Sequence, residues 1–187
     1  MAQTIVDCCN SALQRVGAAP IMSLTENTPE ARACAIAYDS NRRDELRKHP
    51  WTFAIKRVVL APDETAPEFD YTYAFTVPSE CLRILRPATV ALDWVLEGRK
   101  ILSNTSNVLN LRYLADITDP TQWDANFYNV VAGALAVDIC ERLTQSNTKK
   151  QLLISQYDDD VKLARRMNAF ESGPVVAVDD DWWVARL

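Results

Sequence analysis

The spacing of apolar residues changes twice along this chain of 187 residues, and these changes restrict the folds it can adopt. Up to Pro50, and again after residue 119, apolar residues recur at helical spacing. This predicts four helices, over residues 3–16, 28–48, 120–145 and 148–170. Between them, short alternating runs separated by turn residues predict five or six antiparallel strands. The expected fold is α+β: N- and C-terminal helix pairs (1–50 and 117–170) form a helical bundle with an inserted small antiparallel β lobe (51–116).

Capping and turn residues mark the expected ends of these elements. Gly17 ends the first helix, and Thr28-Pro29-Glu30 begins the second with an N-cap, a proline and an acid in the first turn. Pro50 ends the second helix, because a proline disfavours helical geometry in the residue before it. Asp119-Pro120 has the same cap-and-proline pattern and is expected to begin the third helix.

The strands of the β lobe are predicted from alternation and from turn residues. In FDYTYAFTV, residues 69–77, large apolar side chains alternate strictly with small or polar ones, which is typical of a half-buried strand. Residues 52–60, 81–85 and 109–113 are predicted as further strands. Glu97-Gly98-Arg99-Lys100 is predicted as a hairpin turn between two more.

One helix is apolar on almost every side. The stretch VVAGALAVDIC, residues 130–140, has a single charged residue. Such a helix lies either at the centre of a bundle or against a neighbouring subunit.

Charge and cysteine usage exclude some classes of protein. A net charge of −5 argues against a protein that wraps DNA by neutralising phosphates. The five cysteines are odd in number and form no C-x-x-C pair, so we expect buried free thiols in a reducing cytoplasm. The first residues lack the basic and apolar regions of a signal peptide, and no apolar run approaches the roughly 20 residues that span a bilayer. An intracellular protein without a membrane segment is expected.

Candidate catalytic and metal sites are few. His49 is the only histidine, and its place at a helix end favours a capping or packing role over catalysis. Asp158-Asp159-Asp160 is expected to lie on a solvated helix face, and Asp179-Asp180-Asp181 matches no calcium loop. No phosphate-binding, dinucleotide-binding or nucleophile-elbow motif is present. We therefore expect no enzyme activity, no cofactor and no metal; a small hydrolase centred on His49 is the least favoured alternative.

The C-terminal stretch, residues 171–187, has no helical periodicity and is predicted to be an extended docking tail. Its adjacent tryptophans would point to opposite sides of an extended segment, so a partner is expected to cover them. The flanking acids favour a basic groove on that partner. The predicted docking residues are Val175, Val176, Val178, Trp182, Trp183 and Leu187.

Several short motifs, in order, resemble the tail tubular protein A family, the head-to-tail adaptors or gatekeepers of short-tailed bacteriophages. Each motif is weak alone, but their order and spacing are specific, and together they cover roughly residues 5–170. The matching elements are Asn10-x-Ala12-Leu13 with Gly17 and Pro20-Ile21, Ala31, Tyr38-Asp39, Pro50-Trp51-x-Phe53-Ala54, Tyr71-x-Tyr73, Val77-Pro78-x-x-Cys81-Leu82-Arg83-Ile84 and Leu111-x-Tyr113.

The resemblance implies a structural virion protein that assembles as a ring of twelve copies. The ring would lie under the portal protein and be capped by the tail tubular protein B nozzle, which the β lobe faces. Double-stranded DNA would pass through its lumen without sequence-specific binding. The expected location is the connector of the virion, and the host cytoplasm during assembly. The resemblance supplies no catalytic residues.

Two groups of residues at the junction of bundle and lobe are assigned roles in this reading. Trp51 and Phe53 would anchor the junction by burying apolar area. A basic cluster would meet acidic groups of a neighbouring subunit, with the C-terminal tail docking on the portal. The cluster consists of Arg42, Arg43, Arg47 and Lys48.

The alternative function is a single-stranded nucleic-acid-binding module. Aromatic rings in and beside the β lobe could stack on bases as in an OB-fold, although they are also what a small β core requires. These rings belong to Trp51, Phe53, Tyr71, Tyr73 and Phe75.

Overall fold

A computed structural model describes residues 3–85, 93–104 and 108–172. The predicted α+β fold is confirmed, with four helices and two small antiparallel sheets. The helices are α1 (Ile5–Val16), α2 (Pro29–Lys48), α3 (Ala125–Thr144) and α4 (Asn147–Glu171). The strands are β1 (Ile55–Leu60), β2 (Tyr73–Thr76), β3 (Cys81–Ile84), β4 (Trp94–Glu97), β5 (Lys100–Ser103) and β6 (Leu109–Ala115). Two short 3-10 helices span Thr52–Ala54 and Pro120–Gln122.

The helix ends are determined by local side chains. Thr4 caps α1 by accepting from the backbone N–H of Asp7, whose carboxylate accepts from the backbone N–H of Thr4 in return. Gly17 ends α1 with φ at 75°, a left-handed conformation that costs glycine little. Thr28 caps α2 and Pro29 occupies its first turn, as the sequence predicts.

Helix α3 forms the centre of the bundle and packs against α1, α2 and α4. Buried residues occur on all its sides from Val130 to Ala136, followed by Ile139 and Cys140. The small residues among them let the neighbouring helices approach closely. A Cβ on Gly133 would lie 3.0 Å from Nη1 of Arg15, which crosses α3 to reach Asp160 of α4 at 2.6 Å. The ion pair therefore passes over the bare backbone of Gly133, and a larger residue there would require the Arg15 guanidinium to shift.

The six strands form two three-stranded sheets rather than one. The first sheet has the order β1-β6-β3 and the second the order β2-β5-β4, with all pairs antiparallel. The predicted hairpin connects β4 and β5, with Gly98 in its turn at φ 59°. Both sheets contribute to the same continuous core as the helices, through residues such as Phe75, Ile101 and Leu111.

The strand predicted over residues 69–77 begins later, at Tyr73. Asp70 has φ of 67°, a conformation that aspartate tolerates better than most residues, and the backbone N–H of Tyr71 donates to the carbonyl of Phe69 at 2.8 Å. This tight turn leaves Phe69 76% exposed. Apolar and polar residues do alternate over residues 69–77, but only the second half of this stretch is a strand, and the first half forms a turn.

Two further predicted boundaries were wrong. Residues Thr52–Ala54 form a 3-10 helix, so the first strand begins at Ile55 rather than at residue 52. Asp119-Pro120 opens a separate 3-10 helix, in which the Asp119 carboxylate accepts from the N–H of Thr121. Helix α3 begins five residues later than predicted, after Asp124, which caps it through the N–H groups of Asn126 and Phe127.

Trp51 connects the helices to the first sheet. It is only 2% exposed, and its indole N–H donates to the carbonyl of Glu45 at 2.9 Å. Its ring contacts Phe127 edge-on with centroids 5.0 Å apart, and Phe53 lies 6.4 Å away in a stacked arrangement. The end of α2, the start of β1 and the first turn of α3 therefore share one aromatic cluster.

Replacing Trp51 by alanine should destabilise the protein severely. Loss of a buried indole and the cavity it leaves cost about 3–5 kcal/mol. Urea denaturation followed by circular dichroism measures this difference. Phe69→Ala, which removes an exposed ring, should change the free energy of unfolding by less than about 0.5 kcal/mol. Equal effects of the two changes would contradict the assigned role of Trp51.

Candidate functional site

Four arginines from three parts of the chain line one cleft between α2 and the two sheets. Arg43 and Arg47 come from α2, Arg83 from β3 and Arg99 from the turn between β4 and β5. We call this the basic cleft. It encloses about 370 Å³. Apolar side chains complete its lining, namely Val77, Leu82, Ile84, Trp94 and Leu96.

The arginines of the basic cleft are held mostly by neutral groups, so their charge is only partly compensated. Arg83 Nη1 donates to the backbone carbonyl of Arg47 at 2.8 Å, and Arg99 Nη2 donates to the carbonyl of Pro78 at 2.6 Å. Arg43 Nε lies 3.2 Å from Asp116 Oδ2. Within the described ranges, the guanidinium of Arg47 has no ion-pair partner. The cleft can therefore bind an anionic group.

Two members of the predicted basic cluster point away from this cleft. Arg42 is 3% exposed and forms an ion pair with Asp116, while its Nη1 also donates to the carbonyl of Ile117 at 3.1 Å. Lys48 Nζ pairs with Glu45 Oε1 at 2.5 Å. The acidic partners of both residues lie in their own chain. Arg42 ties α2 to the segment after β6 and is not available to a neighbouring subunit. Arg43, Arg47 and Lys48 have exposed side chains and remain available from the cluster.

Sequence reasoning did not identify Arg83 and Arg99 as members of the cleft. They are 36 and 52 residues from Arg47, and no spacing rule connects residues on different elements at such separations. The position of Arg99 in a predicted hairpin turn indicated only that it would be exposed. The contact arises from the packing of β3 against α2, which is a tertiary feature.

His49 occupies a structural position. Its ring contacts Trp51 edge-on at 4.8 Å, and its Nε2 lies 3.1 Å from Nδ2 of Asn168 on α4. The Asn168 Oδ1 accepts from the backbone N–H of Thr52 at 2.8 Å, which orients its amide nitrogen as the donor to His49. Burial lowers the pKa of His49, and the positive charges of Arg165 and Arg83 lower it further.

The cysteines and acidic runs behave as packing or surface groups. All five cysteines are free; Cys81 is half-buried and the other four are buried. Burial raises the pKa of the Cys8 thiol to about 12, which disfavours the thiolate. Asp159 lies at the surface near Lys162, but Asp160 turns inward to Arg15. In the described portion of the chain, no three His, Cys, Asp or Glu residues are grouped to hold a metal ion.

The aromatic residues of the nucleic-acid alternative do not form an open stacking surface. Trp51 and Phe75 are 2% and 1% exposed, and Phe53 and Tyr73 pack partly buried against the core. Tyr71 is half-buried, and Phe69 is exposed on the turn before β2. Stacking of successive bases needs several accessible ring faces, so this arrangement gives the alternative no support.

Helix α4 has a second apolar face, which we call the outer stripe: Leu152, Leu163, Met167 and Phe170. At 3.6 residues per turn, residues 152, 163 and 170 lie within about 20° of one another around the helix. Their exposures are 58%, 52% and 72%, and Met167 is 42% exposed. The buried face of α4, centred on Leu153 and Ala164, lies about 120° away. None of the described residues therefore covers the outer stripe.

A groove lies elsewhere on the helical body. It is about 410 Å³ in volume and runs between α2, α3 and α4. Asp44 and Asp138 lie on its exposed wall together with Lys150, and Glu45 lies at its base, paired with Lys48 and hydrogen-bonded to the Tyr157 hydroxyl at 2.7 Å. Beside the outer stripe, helix geometry places Arg166, which is opposite in charge to Asp44 and Asp138.

Of the docking tail predicted over residues 171–187, only residues 171 and 172 are described, and Glu171 is the last residue of α4 rather than part of an extended segment. The predicted docking residues lie outside the described ranges, namely Val175, Val176, Val178, Trp182, Trp183 and Leu187. Over the described ranges, no helix is both long enough and apolar enough to cross a membrane.

No model of a known protein family matches this chain, and no curated protein matches it either. The resemblance to the tail tubular protein A family therefore stays a prediction that depends on the ordered motifs. Two of these motif positions contact each other: Asn10 accepts from the N–H of Ile21 at 2.8 Å and donates to its carbonyl at 2.9 Å. This pair holds the segment that follows α1.

Removing the Arg42 guanidinium should destabilise the isolated protein. Arg42→Ala removes the buried donor to Asp116 and to the carbonyl of Ile117, while Asp116 keeps its ion pair with Arg43. The lost charge-assisted hydrogen bonds cost about 1.5–3 kcal/mol. Chemical denaturation of the purified chain measures the change. Arg47→Ala, at the exposed end of the same helix, should cost less than about 0.5 kcal/mol. A neutral Arg42→Ala would instead indicate that its partner lies on another molecule.

Stability should fall on mild acidification because of His49. Its folded-state pKa lies below the ordinary value of 6.5, so the unfolded chain binds the proton more readily. This contribution is complete above about pH 6.5 and is lost as the pH falls towards the folded pKa. Between pH 7.5 and 5.5, Tm should decrease more in the natural chain than in His49→Gln, measured by circular dichroism. An equal decrease in both would refute this assignment, since His49 is the only histidine.

Proposed function

We propose that the protein is a structural adaptor that assembles as a ring of copies between a phage portal and a tail nozzle. The observation that carries the proposal is the outer stripe of α4. Four large apolar side chains lie along a helix of the body where nothing within the described chain covers them. Exposed apolar patches of this kind mark contacts with other proteins.

A neighbouring copy offers a complementary surface for this stripe. Ring assembly requires two different surfaces on each subunit, because the same operation relates every copy to the next. The outer stripe, with Arg166 beside it, forms one surface. The groove with Asp44 and Asp138, between α2, α3 and α4, forms the other. Arg166 is opposite in charge to the exposed carboxylates of Asp44 and Asp138, which favours one relative orientation of neighbours.

The remaining parts are assigned roles by the resemblance. The helical body would form the ring, the β lobe would face the nozzle of tail tubular protein B, and residues 171–187 would dock on the portal. Arg43, Arg47 and Lys48 remain candidates to meet acidic groups of a neighbouring copy. The net charge of −5 would keep the lumen from holding passing DNA. The protein would be located in the virion connector, after assembly in the host cytoplasm.

Electron microscopy of the purified chain with its portal protein tests the proposal. The natural chain should add a ring to the portal. Leu163→Glu combined with Phe170→Glu should abolish the ring while leaving the circular dichroism spectrum and Tm unchanged, because both side chains are exposed. Absence of a ring with the natural chain under all conditions would contradict the proposal.

A matched control changes two other exposed apolar residues in the same way. Met22 is 92% exposed and Phe69 76% exposed, so Met22→Glu with Phe69→Glu adds the same charge away from α4. This variant should still form rings on the portal. A fluorescence titration with a single-stranded oligonucleotide separates the alternative function: tight, salt-sensitive binding would favour that alternative over the adaptor.

A further inference from the structure

We infer that the basic cleft is the binding site of the chain's own C-terminal segment, residues 175–183, while the protein is free of the portal. The inference goes beyond the adaptor function: binding of the segment concerns the isolated chain, and only its release at the portal rests on the proposed function. It follows from three observations: the charge of the cleft, the point at which α4 ends, and the chemistry of the segment that follows.

The first observation is the match of charge. The cleft presents Arg43, Arg47, Arg83 and Arg99, and the one acidic side chain paired with any of them is Asp116, within the described ranges. Asp116 is shared with the buried Arg42. The segment has three consecutive acids, Asp179-Asp180-Asp181, and no basic residue between 173 and 185. Arginine with carboxylate is the strongest type of surface ion pair, and several together reinforce one another.

The second observation is the position where α4 ends. The Thr52 hydroxyl donates to Glu171 Oε2 at 3.2 Å, so the last turn of α4 lies against the residues that precede β1. In the first sheet, Ile55 pairs with Leu114 and Leu114 pairs with Arg83, which places Arg83 about 10 Å from β1. Residues 173–178 extend up to about 20 Å. Residues 173–178 are therefore long enough to bring the aspartates from the end of α4 to the cleft.

The third observation is the mixed chemistry of both surfaces. Trp94 and Leu96 give the cleft an apolar wall beside its arginines. The segment places Trp182 and Trp183 directly after its acids and valines before them. Tryptophan next to arginine gains from stacking and cation–π contact as well as from burial. A purely acidic or purely apolar segment would match only half of this lining.

Binding within the chain has a consequence for assembly. While the segment fills the cleft, neither the tryptophans nor the arginines are available to another molecule. Contact with the portal would release both together, because a partner that binds the segment better than the cleft does shifts the equilibrium. The docking groups of the free chain would then be exposed only at the portal.

Hydrogen exchange of the full-length, isolated protein tests the inference. In the natural chain, amides of residues 175–183 should exchange at least about tenfold more slowly than in a synthetic peptide of residues 173–187. Arg47→Glu with Arg99→Glu should remove this protection, since both side chains are exposed and the fold should persist. Changing Asp179, Asp180 and Asp181 to lysine should remove it too, and combining the two sets of changes should restore it in part.

The controls separate the cleft from general charge effects. Arg32→Glu with Arg142→Glu makes the same change of charge at two exposed arginines outside the cleft, and protection should be retained. Exchange of the natural segment at the rate of the free peptide overturns the inference. Protection that is indifferent to Arg47→Glu with Arg99→Glu also overturns it, as does protection that increases with protein concentration, which would indicate the segment of a second copy.

Discussion

Burial of the middle of α3, from Val130 to Ala136, is the constraint on which the rest of this structure depends. A helix that is apolar on all sides needs neighbours on every side, and the chain supplies α1, α2 and α4. Close approach requires small residues, which explains the run of alanines and Gly133 where the Arg15–Asp160 ion pair crosses the helix. The aromatic cluster around Trp51 then fixes the first turn of α3 to the end of α2 and, through Phe53, to the first sheet. The β lobe thus shares the hydrophobic core of the helices, in addition to being joined to them by the polypeptide chain at its two ends.

This arrangement changes where an assembly surface can lie. The sequence left two readings of residues 130–140 open, the centre of a bundle or a face against another subunit, and the structure shows the first. The apolar surface of α3 is therefore used within one copy and is no argument for a ring. The outer stripe of α4 is instead the apolar surface that supports the proposal of a ring. A hydrophobic pattern on that helix is spread over two faces, so periodicity alone identifies the face that packs on α3 but not the one left uncovered.

The sequence alone predicts helix caps and turns that depend on neighbouring residues. It does not predict contacts between residues that are far apart in the sequence. Caps at Thr28 and Gly17, and the turn at Gly98, follow from residues whose conformational preferences are strong. The turn at Asp70 was missed because period-two alternation continues through it, and Asp119-Pro120 caps a helix that is too short to be the predicted one. The basic cleft needed the packing of β3 against α2. Arg42 illustrates the limit best: it was grouped with neighbouring arginines by sequence, yet helix geometry turns it inward to Asp116.

The distribution of charge connects these features. A chain of net charge −5 has more acids than bases, yet four arginines line one cleft. Among the described residues, the one carboxylate paired with any of them is that of Asp116, which Arg42 shares. Their positions are held by backbone carbonyls of Arg47 and Pro78, which orient a guanidinium without cancelling its charge. Walls of low dielectric strengthen the field in such a cleft. Like charges gathered in this way repel one another, so the folded chain is less stable with the cleft empty than with an anionic segment in it. Three of the chain's acids are consecutive near the C-terminus, and they form the anionic segment that we assign to the cleft.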